Sequence, residues 1–301
     1  MLFRAVTVAL LAVLLATAGR ARAEDREQII AMFYVTPGGK GLILLPVTIG
    51  RVKSQFVVDT GSAMSAVDIE LRQLVRPTDR KLLVREHGER EIVIVRDGVV
   101  GTPQLRLDGQ AICADLAPIR EGNGCKNVRG ILGMNFLKAY VVRFDFAAGT
   151  LTFLRSAPAA SGRAFDLAYE AGCPVLDAEI AGETKLPFTV DTGHDGSEAG
   201  LAPNAFADLV DRGSLTLSEV ESRVATLSGI RTERQGSLRR FRLGQFEHSD
   251  IEVSESSCNT LNLPYLSRFR VTFDFPRDRV FFEERKQSIG RVDSLGPRNS
   301  R

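Results

Sequence analysis

Asp59-Thr60-Gly61 and Asp191-Thr192-Gly193 are the residues of this 301-residue chain best suited to chemistry. Each triplet follows an apolar run, Phe56-Val57-Val58 or Phe188-Thr189-Val190. Such a run predicts a buried strand ending at the aspartate, and the glycine has no Cβ to obstruct a tight turn. A carboxylate is then presented at a rigid strand end. One such triplet could be a strand followed by a turn. Two in the same place of a duplicated unit need another explanation. Residues 49–61 and 181–193 align without a gap, 132 residues apart, and are identical at seven of 13 positions, with Phe56/Phe188, Val58/Val190 and both triplets among them.

Two like units can pack about a pseudo-twofold axis, which brings the two carboxylates together. Like charges that close do not both ionise, so the pair shares one proton. One carboxylate is then a general base and the other a general acid, with a water between them as nucleophile for an amide carbonyl. The residue after the first triplet is Ser62, and after the second it is His194. A Ser62 hydroxyl donating to Asp59 would favour the ionised form there and leave the proton on Asp191.

The elements that position these groups repeat as well. Residues 136–146 (FLKAYVVRFDF) and 265–275 (YLSRFRVTFDF) match at an offset of 129. Two blocks in the same order at nearly one offset indicate two copies of a unit. Each copy reads mainly as strands. Leu42 to Ile49 with Ser54 to Val58, and Pro174 to Ile180 with Leu186 to Val190, predict hairpins turning at Gly50 and Gly182. Asp68 can cap a helix running to Leu74, and Pro203 and Gly213 bracket another. Asp145 and Asp274 recur in Phe-Asp-Phe and read as structural, at a strand end before a turn. The organisation expected is 24–155 for the first copy, 156–171 for a linker of small residues, 172–285 for the second copy and 286–301 for a polar tail. The basic stretch Arg231 to Arg242 reads as a solvated hairpin near a sheet edge. His87 and His248 read as surface residues.

Residues 1–23 fit a secretory signal: Arg4, then an apolar run from Ala5 to Ala18, then Ala21-Arg22-Ala23 as a cleavage pattern. The apolar run is short for a membrane span of roughly 20 residues. The whole chain has 39 basic and 37 acidic residues. Removing the three arginines of residues 1–23 leaves 36 against 37, a charge of −1. That balance gives no case for nucleic acid or an anionic membrane surface. An even number of cysteines, Cys113, Cys125, Cys173 and Cys258, in an exported chain favours disulfides, with three pairings open. Pairing Cys113–Cys125 and Cys173–Cys258 would keep each bridge within one copy. Neither the cysteine spacing nor the scattered histidines suggests a metal site.

The sequence resembles the pepsin-like and retropepsin-like aspartic proteases. The resemblance rests on Phe56-Val57-Val58-Asp59-Thr60-Gly61-Ser62 and Phe188-Thr189-Val190-Asp191-Thr192-Gly193. Gly130-Ile131-Leu132-Gly133 resembles the family's downstream element beside the first triplet. It implies a mainly β fold of two homologous β-barrel-like lobes with a cleft between them, and Asp59 and Asp191 as the catalytic pair. Thr60 and Thr192 would interlock beneath them, with Gly61, Ser62, Gly193, His194, Ile131, Leu132 and Gly133 in support. It implies hydrolysis of an extended peptide or protein substrate by an activated water, with no metal and no cofactor. The chain departs from the pattern at His194, where the family has Ser or Thr, and at Thr260-Leu261-Asn262, which lacks the glycine of the second downstream element. No tyrosine lies between Ser62 and Gly133 to serve on a flap, although residues 84–102 can still form one. Residues 24–40 are too few for a long pro-segment. The expectation is an exported, periplasmic (alternatively extracellular) monomeric endopeptidase. The competing reading is a non-catalytic peptide-binding or scaffold protein on the same fold.

Overall fold

A computed structural model describes residues 28–284, apart from 32, 36–40, 85–87, 160–161, 183 and 228. The expected signal segment, the polar tail and His87 lie outside the described residues. The protein is mainly β, and its strands fall largely into three sheets with a separate two-stranded arm. An eight-stranded sheet is built from the first copy, and the largest sheet from the second. A six-stranded sheet takes strands from both.

That shared sheet locates the symmetry axis. Val141–Asp145 pairs antiparallel with Phe269–Asp274, and Arg143 lies opposite Thr272. Those two residues are 129 apart, the offset of the second repeat block, so Arg143 faces its own counterpart. A pseudo-twofold axis therefore passes through this pair. Asp145 and Asp274 end these strands. Asp145 is bonded to Arg270 at 2.7 Å and accepts from the Ala148 amide at 3.0 Å, and Asp274 pairs with Arg277 at 3.0 Å.

The first hairpin forms as its pattern predicts, with Leu42–Ile49 against Val52–Val58 and Gly50 at φ +60°. Its strands are apolar on both faces. Ile43, Leu45, Val47, Phe56 and Val58 enter the larger core, while Leu42, Leu44 and Val57 enter a smaller one. The second hairpin pairs Cys173–Ile180 with Thr184–Asp191 and turns at Gly182, φ +81°. The smaller core is a property of the first copy. At the repeat offsets, Val57 becomes Thr189 and Ile131 becomes Thr260. The first copy also carries 13 residues between strands Arg106–Ala114 and Val128–Leu132, including the helix Ala117–Asn123. The second copy has four residues at that place, 256–259. The helix is anchored by Arg120, which pairs with the fully buried Asp68 and bonds Glu70 at 2.9 Å.

Asp68 caps the turn Ile69–Leu74, accepting from the Glu70 amide at 2.9 Å, and the turn is 3-10 rather than α. The helix Pro203–Asp211 begins at the predicted proline, and Gly213 follows it at φ +66°. Residues 156–171 are more than a linker. Arg163–Asp166 extends the shared sheet, and Ala168–Glu170 pairs with the second hairpin. The basic stretch 231–242 is likewise no single hairpin. It spans three strands, of which Gln235–Leu238 and Phe241–Leu243 lie near opposite ends of their sheet. Four of its five arginines are paired: Arg231 with Glu233, Arg234 with Glu255, Arg240 with Glu247 and Arg242 with Glu179.

Candidate active site

Each DTG triplet leaves a strand held by a parallel neighbour. Val52–Val58 runs beside Val128–Leu132, with Val57 opposite Ile131 and Val58 opposite Leu132. The Asp59 amide donates to Leu132 O at 3.0 Å, and the Met134 amide to Ser62 O at 2.8 Å. Gly130 is required because the Phe56 ring fills the space of a Cβ, and Gly133 because a Cβ would strike Ser62 O and the Met64 backbone at 2.6–2.7 Å.

The second copy repeats this without the glycine. Thr184–Asp191 runs parallel to Thr260–Asn262, with Asp191 opposite Asn262. The Leu263 amide donates to His194 O at 3.0 Å, as Met134 does to Ser62. Asn262 is fully buried, and its Nδ2 donates to Ser197 O at 3.0 Å. Thr260-Leu261-Asn262 thus takes the place of the downstream element, with a side-chain hydrogen bond where the first copy has a bare glycine.

The two loops interlock through buried threonines. Thr60 Oγ1 donates to Val190 O at 2.6 Å and accepts from the Thr192 amide at 3.1 Å. Thr192 Oγ1 donates to Val58 O at 2.9 Å and accepts from the Thr60 amide at 3.1 Å. All four bonds cross between copies. Above them the glycines exchange roles. A Cβ on Gly61 would lie 2.5–2.8 Å from the carboxylate of Asp191, and one on Gly193 would lie 2.4–2.8 Å from the carboxylate of Asp59. Each carboxylate occupies space that the other triplet's glycine leaves open. The structure therefore brings Asp59, Thr60, Gly61, Asp191, Thr192 and Gly193 together, with Ile131, Leu132 and Gly133 supporting the first loop.

The two carboxylates are electrostatically coupled. Burial, the negative charge of Asp191 and a hydrogen bond shared with Asp191 hold Asp59 well above the usual carboxylate range. Amide bonds from Gly61 and Ser62 act in the opposite sense and are outweighed. The pair therefore holds a shared proton above the usual carboxylate range. Asp191 accepts from the Gly193 amide at 2.8 Å. The expected Ser62 bond is absent: the Ser62 hydroxyl donates to Met64 O at 2.8 Å, so it does not steer the proton toward Asp191. His194 lies beside Gly196, with both ring nitrogens buried and unpartnered.

The cysteines also differ from expectation, since no disulfide joins any of the four. Cys113 points into the larger core, whereas Cys125 belongs to the smaller one with Ile112 and Ala114. The alternation along a strand thus puts the first expected pair on opposite faces of a sheet. In the second copy Val175 lies opposite Thr189, which lies opposite Thr260. Going outward, Cys173 approaches the Asp191 end of that strand and Cys258 the Pro187 end. The Cys173 thiol instead donates to Gly61 O at 3.1 Å. Burial, Asp59, Asp191 and Cys258 push it up to about 12, so it stays protonated. His248 is no surface residue: it is half-buried with its ring against Tyr265 and Phe269.

Each copy also carries a hairpin arm. Strands Arg76–Val84 and Gly88–Val100 make the first, in the region expected to form a flap and without a tyrosine. Ser222–Thr226 and Gly229–Glu233 make the second, which the sequence reading missed. The turn signal Ser228-Gly229 between two short alternating runs would have revealed it. Among the described residues, no group of three or more His, Cys, Asp or Glu is placed to hold a metal ion. No protein-family model and no curated protein matches the chain.

Proposed function

We propose that the protein is an aspartic endopeptidase with Asp59 and Asp191 as its catalytic pair, on two homologous β lobes of the aspartic-protease type. The observation that carries this reading is the reciprocal seating of each carboxylate over the other triplet's glycine. A turn that served only the fold would not need two acids pressed together across a symmetry axis. Burying a second carboxylate beside the first is costly.

In this mechanism a water between the carboxylates is the nucleophile. Asp191 takes its proton as the water attacks the peptide carbonyl. Asp59, which carries the shared proton, donates it to the carbonyl oxygen, giving a tetrahedral diol. Proton transfer to the nitrogen then releases the amine. No covalent enzyme intermediate forms. The substrate is a peptide or protein segment in extended conformation, held between the arms partly by strand-like main-chain bonds. One chain supplies both acids, so a monomer suffices, and we place it outside the cytoplasm, in a periplasm.

The test is cleavage of a mixed peptide library from pH 3 to 8 by residues 24–301, beside Asp59→Asn and Asp191→Asn. Cleavage by the parent and loss in both variants is the expected result. Cleavage that survives in either variant overturns the assignment of the pair. Peptide binding without cleavage at any pH overturns the enzyme in favour of a binding module on the same fold.

A further inference from the structure

The second arm is built by the second copy but does not stay with it. Its Val224 and the His194 ring both lie beside Gly196. One residue on, the methyl of Ala225 sits 2.5 Å from where a Cβ on Gly122 would be. Gly122 belongs to the helix Ala117–Asn123 of the first copy. At the tip, Leu227 packs against the smaller core of the first copy, as do Met64, Leu82 and Val84. That core includes Val57 and Ile131, on the two strands that deliver Asp59. The arm therefore spans the two copies, from Gly196, five residues past Asp191, to the smaller core that Val57 and Ile131 share.

Its reach has a physical cause. The second copy carries Thr189 and Thr260 where the first has Val57 and Ile131, so an apolar seat for Leu227 exists only across the cleft. At the tip, Leu227 is only half-buried. A lone two-stranded hairpin is marginal by itself. Ile230 on the arm and Leu217 and Val220 at its root remain exposed.

We propose that this arm is a removable occupant of the substrate cleft. Leu227 occupies a seat on the smaller core, the cluster of Val57, Ile119 and Ile131 against which Met64, Leu82 and Val84 also pack, and that seat receives an aliphatic side chain of the peptide, so arm and peptide compete for it. The inference rests on the peptidase reading for the nature of the competitor.

The experiment measures binding apart from catalysis. An extended hexapeptide with a central leucine, labelled with a fluorophore, is titrated against residues 24–301 carrying Asp191→Asn, so that the probe is not consumed. A second probe has serine in place of the leucine. Leu227→Ser and Gly122→Ala are then added singly. The first empties the seat, and the second places a methyl where Ala225 sits and displaces the arm from the helix side. Each is expected to bind the leucine probe about tenfold more tightly, as a partly buried leucine side chain implies, and the serine probe no more tightly than before. With Asp191 intact, KM for leucine peptides falls by the same factor while kcat holds. Unchanged or weaker binding in both variants overturns the proposal, as does equal tightening for both probes. Tighter leucine binding with no cleavage by the protein carrying Asp191 refutes the peptidase while the competing arm stands.

Discussion

Replacing Thr192 with valine isolates the interlock beneath the carboxylates. Valine keeps the shape, so no cavity opens, but it removes the hydroxyl that donates to Val58 O at 2.9 Å and accepts from the Thr60 amide at 3.1 Å. Both main-chain groups stay buried at the junction of the two copies, and Thr60 is fully buried. Each buried donor or acceptor left without a partner costs about 1–3 kcal/mol, so two of them should cost roughly 3 kcal/mol or more. Thr192→Ser keeps the hydroxyl and loses one methyl, about 1 kcal/mol. Urea denaturation reads the difference as a lower midpoint at unchanged m. Adding Thr60→Val completes a double-mutant cycle, in which the two substitutions should couple by about 1 kcal/mol or more because their bonds share one geometry. Valine and serine variants of equal stability at position 192 would refute the reasoning, because the hydroxyl would then hold nothing.

Four further outcomes are expected. Asp59 keeps its proton in the folded state well above its ordinary value of 3.8; the unfolded chain binds fewer protons in that window, so stability falls as pH rises from about 4 through the raised value. Asp59→Asn should flatten this slope and raise stability at neutral pH, measured by denaturation across pH. Arg120→Ala should cost roughly 3–5 kcal/mol in thermal or urea unfolding, since it strands the fully buried Asp68 without its cation. Asn262→Gly should cost about 1 kcal/mol by losing the bond to Ser197 O, and leave the loop of Asp191 in place. Thiol titration of the denatured protein without reductant should count four thiols, and a peptide bridged from Cys113 to Cys125 would contradict their separation.

Much of the local structure was legible from residues a few positions apart. The hairpins ending at the triplets, the turns at Gly50 and Gly182, the Asp68 cap and the start at Pro203 each depend on neighbours along the chain. The repeat also put Asp59 and Asp191 in matching places, which with symmetry implied their meeting. Contacts between distant residues decided the rest. Ser62 could have bonded Asp59 or Met64 O, and the folded loop chose the latter. The even cysteine count favoured bridges, but strand alternation sent Cys113 and Cys125 to different faces. Asn262 replaced a glycine without breaking the site because Ser197 O lay within reach. The second arm's destination lay in an apolar seat more than 90 residues away in sequence. The sequence by itself determined which carboxylates recur and how each is presented at a strand end. The tertiary structure alone decided that the two share a proton, because burial and charge at that junction come from both copies at once.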